Sequence, residues 1–130
     1  MKITKKTQYG LRALLWLGQS KKTFLSLREI AEGESIPFDY LEKVFSQLEK
    51  AGLVKSKKGI QGGYSLARSP KKIGLAEIMK ALEKKMLLVE CLDKKSLCPR
   101  KRSCRSAKAW VKIQNSLEKT INSITLNNLY

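Results

Sequence analysis

The sequence predicts a mainly α-helical fold carrying one small β-hairpin and ending in a long helix. Three observations predict it. Apolar residues recur at helical spacing in four separate segments, and a capping box opens a fifth, short helix. One glycine-rich stretch, Gly59-Ile60-Gln61-Gly62-Gly63, parts two short strand-like runs. Apolar residues make up 42% of 130, enough for one packed domain with an appended helix, and no repeat or low-complexity tract divides the chain.

The first helix is expected from Thr7 to Ser20, where Leu11, Leu14, Leu15 and Leu17 repeat and Ala13 and Trp16 add bulk. After a polar break at Lys21-Lys22-Thr23, the run Ser26-Leu-Arg-Glu29 fits a capping box that opens a short second helix. It is expected to run from Leu27 to about Glu32, with Gly33 ending it. Pro37 suits the start of a third helix reaching Lys50, because its missing N–H is not needed there. Leu41, Val44, Phe45 and Leu48 give that helix one buried stripe, and Gly52 stops it. Strand-like residues then flank the glycine turn from Lys55 to Ala67. A fourth helix is expected from Leu75 to about Leu82. From Ser106 onward, Trp110, Ile113, Leu117, Ile121 and Ile124 form a stripe that needs a partner, either the first helix or a second subunit.

Paired short helices followed by a basic, glycine-rich hairpin make a winged helix-turn-helix. The charge agrees: 27 Lys and Arg against 11 Asp and Glu leave a net charge of +16, which calls for a polyanionic partner, double-stranded DNA first. In such a unit the second paired helix enters the major groove and makes base contacts near its N-terminal end. Tyr40, Glu42 and Lys43 lie there. Glu42 suits a cytosine amino group and Lys43 suits guanine, though each also suits a plain solvated surface. Lys57, Lys58 and the backbone at Gly59, Gly62 and Gly63 suit phosphates or the minor groove, positioning the protein without specifying sequence. A hairpin with no such role is the alternative for the wing.

The three cysteines, Cys91, Cys98 and Cys104, fall in one run together with Lys94, Lys95, Arg100, Lys101, Arg102 and Arg105, against Asp93 as the one acid. An odd number of thiols cannot all pair within the chain. Nearby cations favour thiolate over thiol. Three soft ligands suit a metal centre with one position left open. Structural zinc and unligated redox thiols are the alternatives, although zinc commonly takes Cys-x-x-Cys pairs in a closed set of four.

With no histidine, the commonest general base is missing, and no P-loop, paired carboxylates or nucleophile motif points to an enzyme. No apolar run approaches the ~18 residues of a spanning segment, and the N-terminal run has no apolar signal core, so a cytoplasmic location with reduced thiols is expected and no membrane partner. A small iron–sulfur electron carrier remains a rival of a different class, but it has no need of so basic a winged helix.

Three stretches carry a resemblance: Met1-Lys-Ile-Thr-Lys-Lys-Thr-Gln-Tyr9-Gly-Leu-Arg12-Ala-Leu, Tyr40-Leu-Glu-Lys-Val-Phe-Ser-Gln-Leu-Glu-Lys-Ala-Gly-Leu-Val54, and Gly62-Gly63-Tyr64-Ser-Leu. With the ending Ile124-Thr125-Leu126, they resemble the Rrf-two family of bacterial winged-helix regulators, typified by the IscR and NsrR types. The resemblance implies a homodimer acting at promoters and, as in many members, an iron–sulfur cluster on the positions of Cys91, Cys98 and Cys104. It departs in three places. Ala107 occupies the position of the IscR-type histidine. Gln8 occupies the position of an aspartate that some NsrR types supply from the other subunit. The first cysteine gap has six intervening residues, where the IscR type has five. Arg12 matches an arginine found near the cluster. The fourth ligand is open among Gln8, Glu90, Asp93, water and a small thiol, and the missing histidine favours 4Fe–4S over 2Fe–2S. The expected organisation is a DNA-binding domain at 1–83, a cysteine-containing sensor loop at 84–105 and a dimerisation helix with tail at 106–130. A cluster-free thiol-redox regulator is the alternative.

Overall fold

The computed structural model describes residues 2–130; Met1, first residue of the N-terminal run above, lies outside the described residues. Five α-helices and one two-stranded antiparallel hairpin follow the order α1 (Lys5–Gln19), α2 (Leu27–Glu34), α3 (Phe38–Lys50), β1 (Val54–Lys57), β2 (Gly63–Leu66), α4 (Leu75–Leu82) and α5 (Ala107–Ser123). Short 3-10 turns lie at Pro70–Lys72, Glu90–Leu92 and Leu126–Leu129. This is the winged helix-turn-helix that the pattern predicts, with a long fifth helix.

The core forms where the stripes of α1 to α4 meet. Leu14, Ile30, Leu41, Val44, Phe45, Leu48 and Ile78 are fully buried there. Burying a side chain of this size stabilises by about 1.5–3 kcal/mol, so the stripe of α3 alone outweighs any propensity difference along that helix. The hairpin pairs Val54 with Leu66 and Lys57 with Gly63. It is fastened to the helices on one side by an antiparallel bridge between Leu25 and Tyr64, with N–H to O distances of 2.9 and 2.7 Å. Tyr64 also stands edge-on to Phe45 at 4.9 Å between centroids.

Three expectations need correction. Gly33 does not end α2, which continues to Glu34; Ser35 takes the left-handed conformation, φ 54°, that closes it. Gly33 is needed for space, since a Cβ there would lie 2.3 Å from the Trp16 ring. In the capping box the serine acts as expected, accepting from the Glu29 N–H at 3.1 Å. The Glu29 carboxylate instead accepts from the Ser26 hydroxyl and from Lys22 at 3.0 Å. α1 also starts earlier than expected, at Lys5 with Thr4 as its cap.

The C-terminal stripe divides. α5 packs on α4, but at about 1.5 Å per residue its 17 residues run about 26 Å against about 12 Å for the 8 of α4. Ile121 therefore turns inward and is buried in its own chain, Leu117 is half-buried, and Trp110, Val111 and Ile113 remain 38–46% exposed. Ile121 thus leaves the set of apolar residues available to a second subunit. The tail after α5 folds back: Leu126 is buried, its N–H donates to the Ile73 carbonyl at 3.0 Å, and the Leu75 N–H donates to Ile124 at 2.9 Å.

Candidate DNA interface and cysteine loop

α3 presents one edge outward. Glu42 and Lys43 are exposed and line a shallow groove with Asp39, Ser46 and Gln47, closed on the far side by Lys6 of α1. Tyr40 is half-buried, its ring edge-on to Tyr9 at 5.3 Å, so it supports the helix as well as bordering its outer face. Two residues not anticipated from the sequence extend this face. Phe38 begins α3 and is 38% exposed, and the Arg28 guanidinium lies 5.5 Å over its ring. Lys57 and Lys58 are exposed on the wing, and Lys57 rests 5.6 Å over Phe24. The Ser56 hydroxyl donates to Glu49 at 2.6 Å, tying β1 to the last turn of α3. Gly59 and Gly63 hold φ of 111° and 137°, the region that favours glycine. α3 and the wing are thus tied together by Ser56 and Glu49, and their shared side carries the exposed Lys43, Lys57 and Lys58.

The cysteine loop joins α4 to α5. Cys91 and Cys98 line one open cavity of about 860 Å³ together with Glu90 and Asp93. Cys104 lies outside that set, in the loop three residues before α5. Its Sγ is 3.0 Å from the Ser106 hydroxyl, and this contact, helped by the Ala107 N–H, holds the thiol below its ordinary pKa. Among the described residues no three Cys, Asp or Glu side chains converge as a metal site. The donor chemistry suits an iron–sulfur cluster, and the thiols occur in pairings of two and one. Asp93 organises the loop: its carboxylate meets Lys85 at 2.6 Å and the Lys95 N–H at 3.0 Å, while Lys101 donates to its carbonyl at 2.7 Å. The Lys85 contact holds the Asp93 carboxyl below its usual value. Both Asp93 oxygens are therefore engaged, whereas Glu90 is exposed at the cavity rim. Gln8 and Arg12 are on α1. Gln8 donates to the Ile3 carbonyl at 3.0 Å, and Arg12 pairs with Glu34 at 3.1 Å and donates to its backbone carbonyl. Within one chain they do not border the cysteine cavity.

Two anchors frame the loop, and neither is legible in the sequence. Glu83, the residue after α4, accepts from the Thr4 N–H at 2.9 Å, the Thr4 hydroxyl at 2.9 Å and the Thr7 hydroxyl at 2.7 Å. Burial pushes its carboxyl up, but these bonds and nearby Lys6 outweigh burial and leave it below the usual value. Gln114 of α5 is buried; it accepts from the Leu88 N–H at 2.9 Å and donates to the Met86 carbonyl at 2.7 Å.

Comparison with known proteins agrees with this architecture. A family model described as Rrf2, iron-dependent transcriptional regulator, matches residues 3–130. The chain belongs to the Rrf2 family. It is 33% identical to protein rrf2 of Nitratidesulfovibrio vulgaris over 99% of this chain and 87% of that one. Its fold is similar to that of CymR, the global cysteine regulator of B. subtilis, with a TM-score of 0.81 and 32% identity, covering 99% of this chain and 95% of that chain. It is likewise similar to IscR of T. potens, with a TM-score of 0.79 and 34% identity, covering 99% and 85%. As an Rrf2 protein the chain is a winged-helix, DNA-binding transcriptional regulator and not an enzyme. No described helix is long and apolar enough to cross a membrane.

Proposed function

We propose that this Rrf2 regulator binds promoters as a homodimer and that an iron–sulfur cluster on Cys91, Cys98 and Cys104 sets its affinity for DNA. The observation that carries the reading is the position of the thiols. They occupy a cationic loop tied at Glu83 to the α1 end beside the recognition helix, and at Gln114 to α5. Cys91, Cys98 and Cys104 would hold the cluster, which would supply an oxidisable centre. The residues that surround it are set for such a centre: Lys85, Lys95 and Lys101 hold the loop through Asp93, and Glu90 lies exposed beside Cys91 and Cys98. Ala107 in place of a histidine favours 4Fe–4S; Gln8 from a second subunit, Glu90, water and a small thiol are the candidates for the remaining position, and Asp93 is one only on giving up Lys85 or the Lys95 N–H. The exposed Trp110, Val111 and Ile113 of α5 support dimerisation through that helix. A cytoplasmic setting follows from the DNA target.

The test is anaerobic purification with iron and sulfide counts, followed by DNA titration of cluster-bound and cluster-free protein. The expected difference is about 5–150-fold, the range of a coupling of about 1–3 kcal/mol. Equal affinities sink the sensor, and zinc alone in protein kept from air sinks the cluster. That no three thiol or carboxylate side chains converge among the described residues favours a second reading, in which the three thiols act without a cluster. That reading requires protein free of iron and sulfide whose DNA affinity changes on thiol oxidation.

A further inference from the structure

We propose that the segment following α5, residues 124–130, is a strap that carries the position of α5 to the stem of the hairpin, with Tyr130 as the residue that positions that stem. The proposal rests on the dimeric DNA-binding reading above and adds a second route out of α5, at the end away from the cysteine loop. Three observations carry it. First, the strap is paired along its length. The Leu75 N–H donates to the Ile124 carbonyl at 2.9 Å and the Leu126 N–H to that of Ile73 at 3.0 Å, which sets Thr125 against Gly74 as an antiparallel bridge. Leu126 is buried, and the Asn128 side chain accepts from the Thr125 N–H at 2.8 Å and its hydroxyl at 3.1 Å, closing the last 3-10 turn. Second, the strap ends on α1, where the Tyr130 hydroxyl donates to the Leu15 carbonyl at 3.3 Å. Third, that seat exists because residue 18 is glycine. A Cβ there would overlap the Tyr130 hydroxyl and lie 3.0 Å from Tyr130 Cζ and 3.3 Å from Leu66 Cδ1. Tyr130, α1 and the last residue of β2 therefore meet at one point.

Gly18 lies within α1 and has no positive φ, so backbone freedom does not account for it, and alanine is the better helix former. The room it leaves for Tyr130 does account for it. The hydrogen bond to Leu15 is long, so the fit of the ring tip over Gly18 carries the contact. Leu66 pairs with Val54 at the base of the hairpin, and the Leu25–Tyr64 bridge holds β2 from the helix connection. The stem is thus gripped from two directions, and one of them is the strap. The backbone pairs at Ile73 and Leu75 keep the strap from slipping. A displacement of α5 therefore passes into the connection before α4 and, through Tyr130, into α1 and Leu66. The hairpin that Leu66 anchors carries Lys57 and Lys58, so the seat of Tyr130 decides where those cations point.

The test uses the full-length protein and a promoter fragment that it binds specifically. Gly18→Ala evicts the ring tip by overlap, and Tyr130→Ala removes it. Tyr130 is 48% exposed, so its removal keeps the fold. Each variant should weaken specific binding about 5-fold or more, the low end of ordinary coupling between sites, while sedimentation still shows the dimer. Backbone hydrogen exchange should quicken at residues 63–67 and stay unchanged in α3, which separates a lost position from a general loss of stability. The double variant should bind no more weakly than Tyr130→Ala alone, because both changes empty the same seat. Tyr130→Phe keeps the ring and should bind as the wild type does. Wild-type affinity in Tyr130→Ala overturns the proposal, as do losses that add in the double variant or that come with dissociation into monomers. A wild type that shows no preference among promoter fragments overturns the DNA reading instead.

Discussion

Gly33 shows how a single residue is fixed by two opposing terms. Inside a helix, alanine is favoured over glycine by about 1 kcal/mol. Against that, the Trp16 ring occupies the space a Cβ would need, at 2.3 Å, and overpacking of this kind costs about 1–3 kcal/mol. Gly33→Ala should therefore destabilise the protein in urea unfolding. In a Trp16→Leu background the clash is relieved, and the same change should become stabilising. The DNA face offers a second residue-scale test. Glu42 is exposed in the groove of α3, so Glu42→Ala should relax sequence preference, costing about 1–3 kcal/mol of discrimination at one base pair while barely changing nonspecific binding. A competition assay over single-base variants of the site reads this directly.

At the scale of elements, two side chains hold together parts that are far apart in sequence. Gln114 satisfies the backbone of Met86 and Leu88 from across the cysteine loop. Gln114→Leu leaves those groups unpaired and should cost about 1–3 kcal/mol, seen as a lower urea midpoint and faster hydrogen exchange at residues 86–92. Glu83 joins the end of α4 to the start of α1 through Thr4 and Thr7. Its carboxyl is held below the usual value, so its stabilisation is fully present above the unfolded-state pKa, about 4.3, and is lost as pH falls through the folded value. The wild type should lose stability over that acid window, and Glu83→Ala should lose part of it at neutral pH and show a flatter acid limb. Comparing unfolding midpoints between pH 3 and pH 7 checks both. The exposed half of α5 is the third element. Replacing Trp110 and Ile113 together by glutamate should abolish dimerisation in sedimentation experiments while leaving the secondary structure intact, because both side chains are already in water in one chain.

The whole molecule is strongly cationic, and this charge should govern its binding. With several phosphates neutralised by the wing and the edge of α3, the logarithm of affinity should fall linearly with the logarithm of salt, by about 0.9 for each phosphate contacted. A salt slope near zero would contradict a DNA interface built on Lys43, Lys57 and Lys58. The molecule also sets what the cysteine loop can influence. Its two ends are held by Glu83 and Gln114, so any rearrangement of the loop would bear on α1 and α5 at once. Those elements border the recognition helix and carry the candidate dimer face, respectively.

Local and periodic features of this chain are legible without its fold. The stripe Leu41, Val44, Phe45, Leu48 needs only the helical repeat to be read, and all four are buried as it implies. The glycine turn of the wing is legible because positive φ at Gly59 and Gly63 demands glycine. The charge and the grouped cysteines are likewise properties of the chain alone. The tertiary structure decided everything that depends on what lies opposite. Periodicity placed Trp110, Ile113, Leu117 and Ile121 in one stripe, but the short α4 covers only part of α5, so Ile121 is buried while Trp110 and Ile113 are left exposed. Gly33 looks like a helix stop until Trp16 is seen against it, and Glu83 and Gln114 look like solvated polar residues until their distant partners are in place. The physical reason is the same in each case. Periodicity fixes which side of its own element a residue occupies, but burial, pairing and steric room depend on a second element whose approach is set by the packing of the whole core.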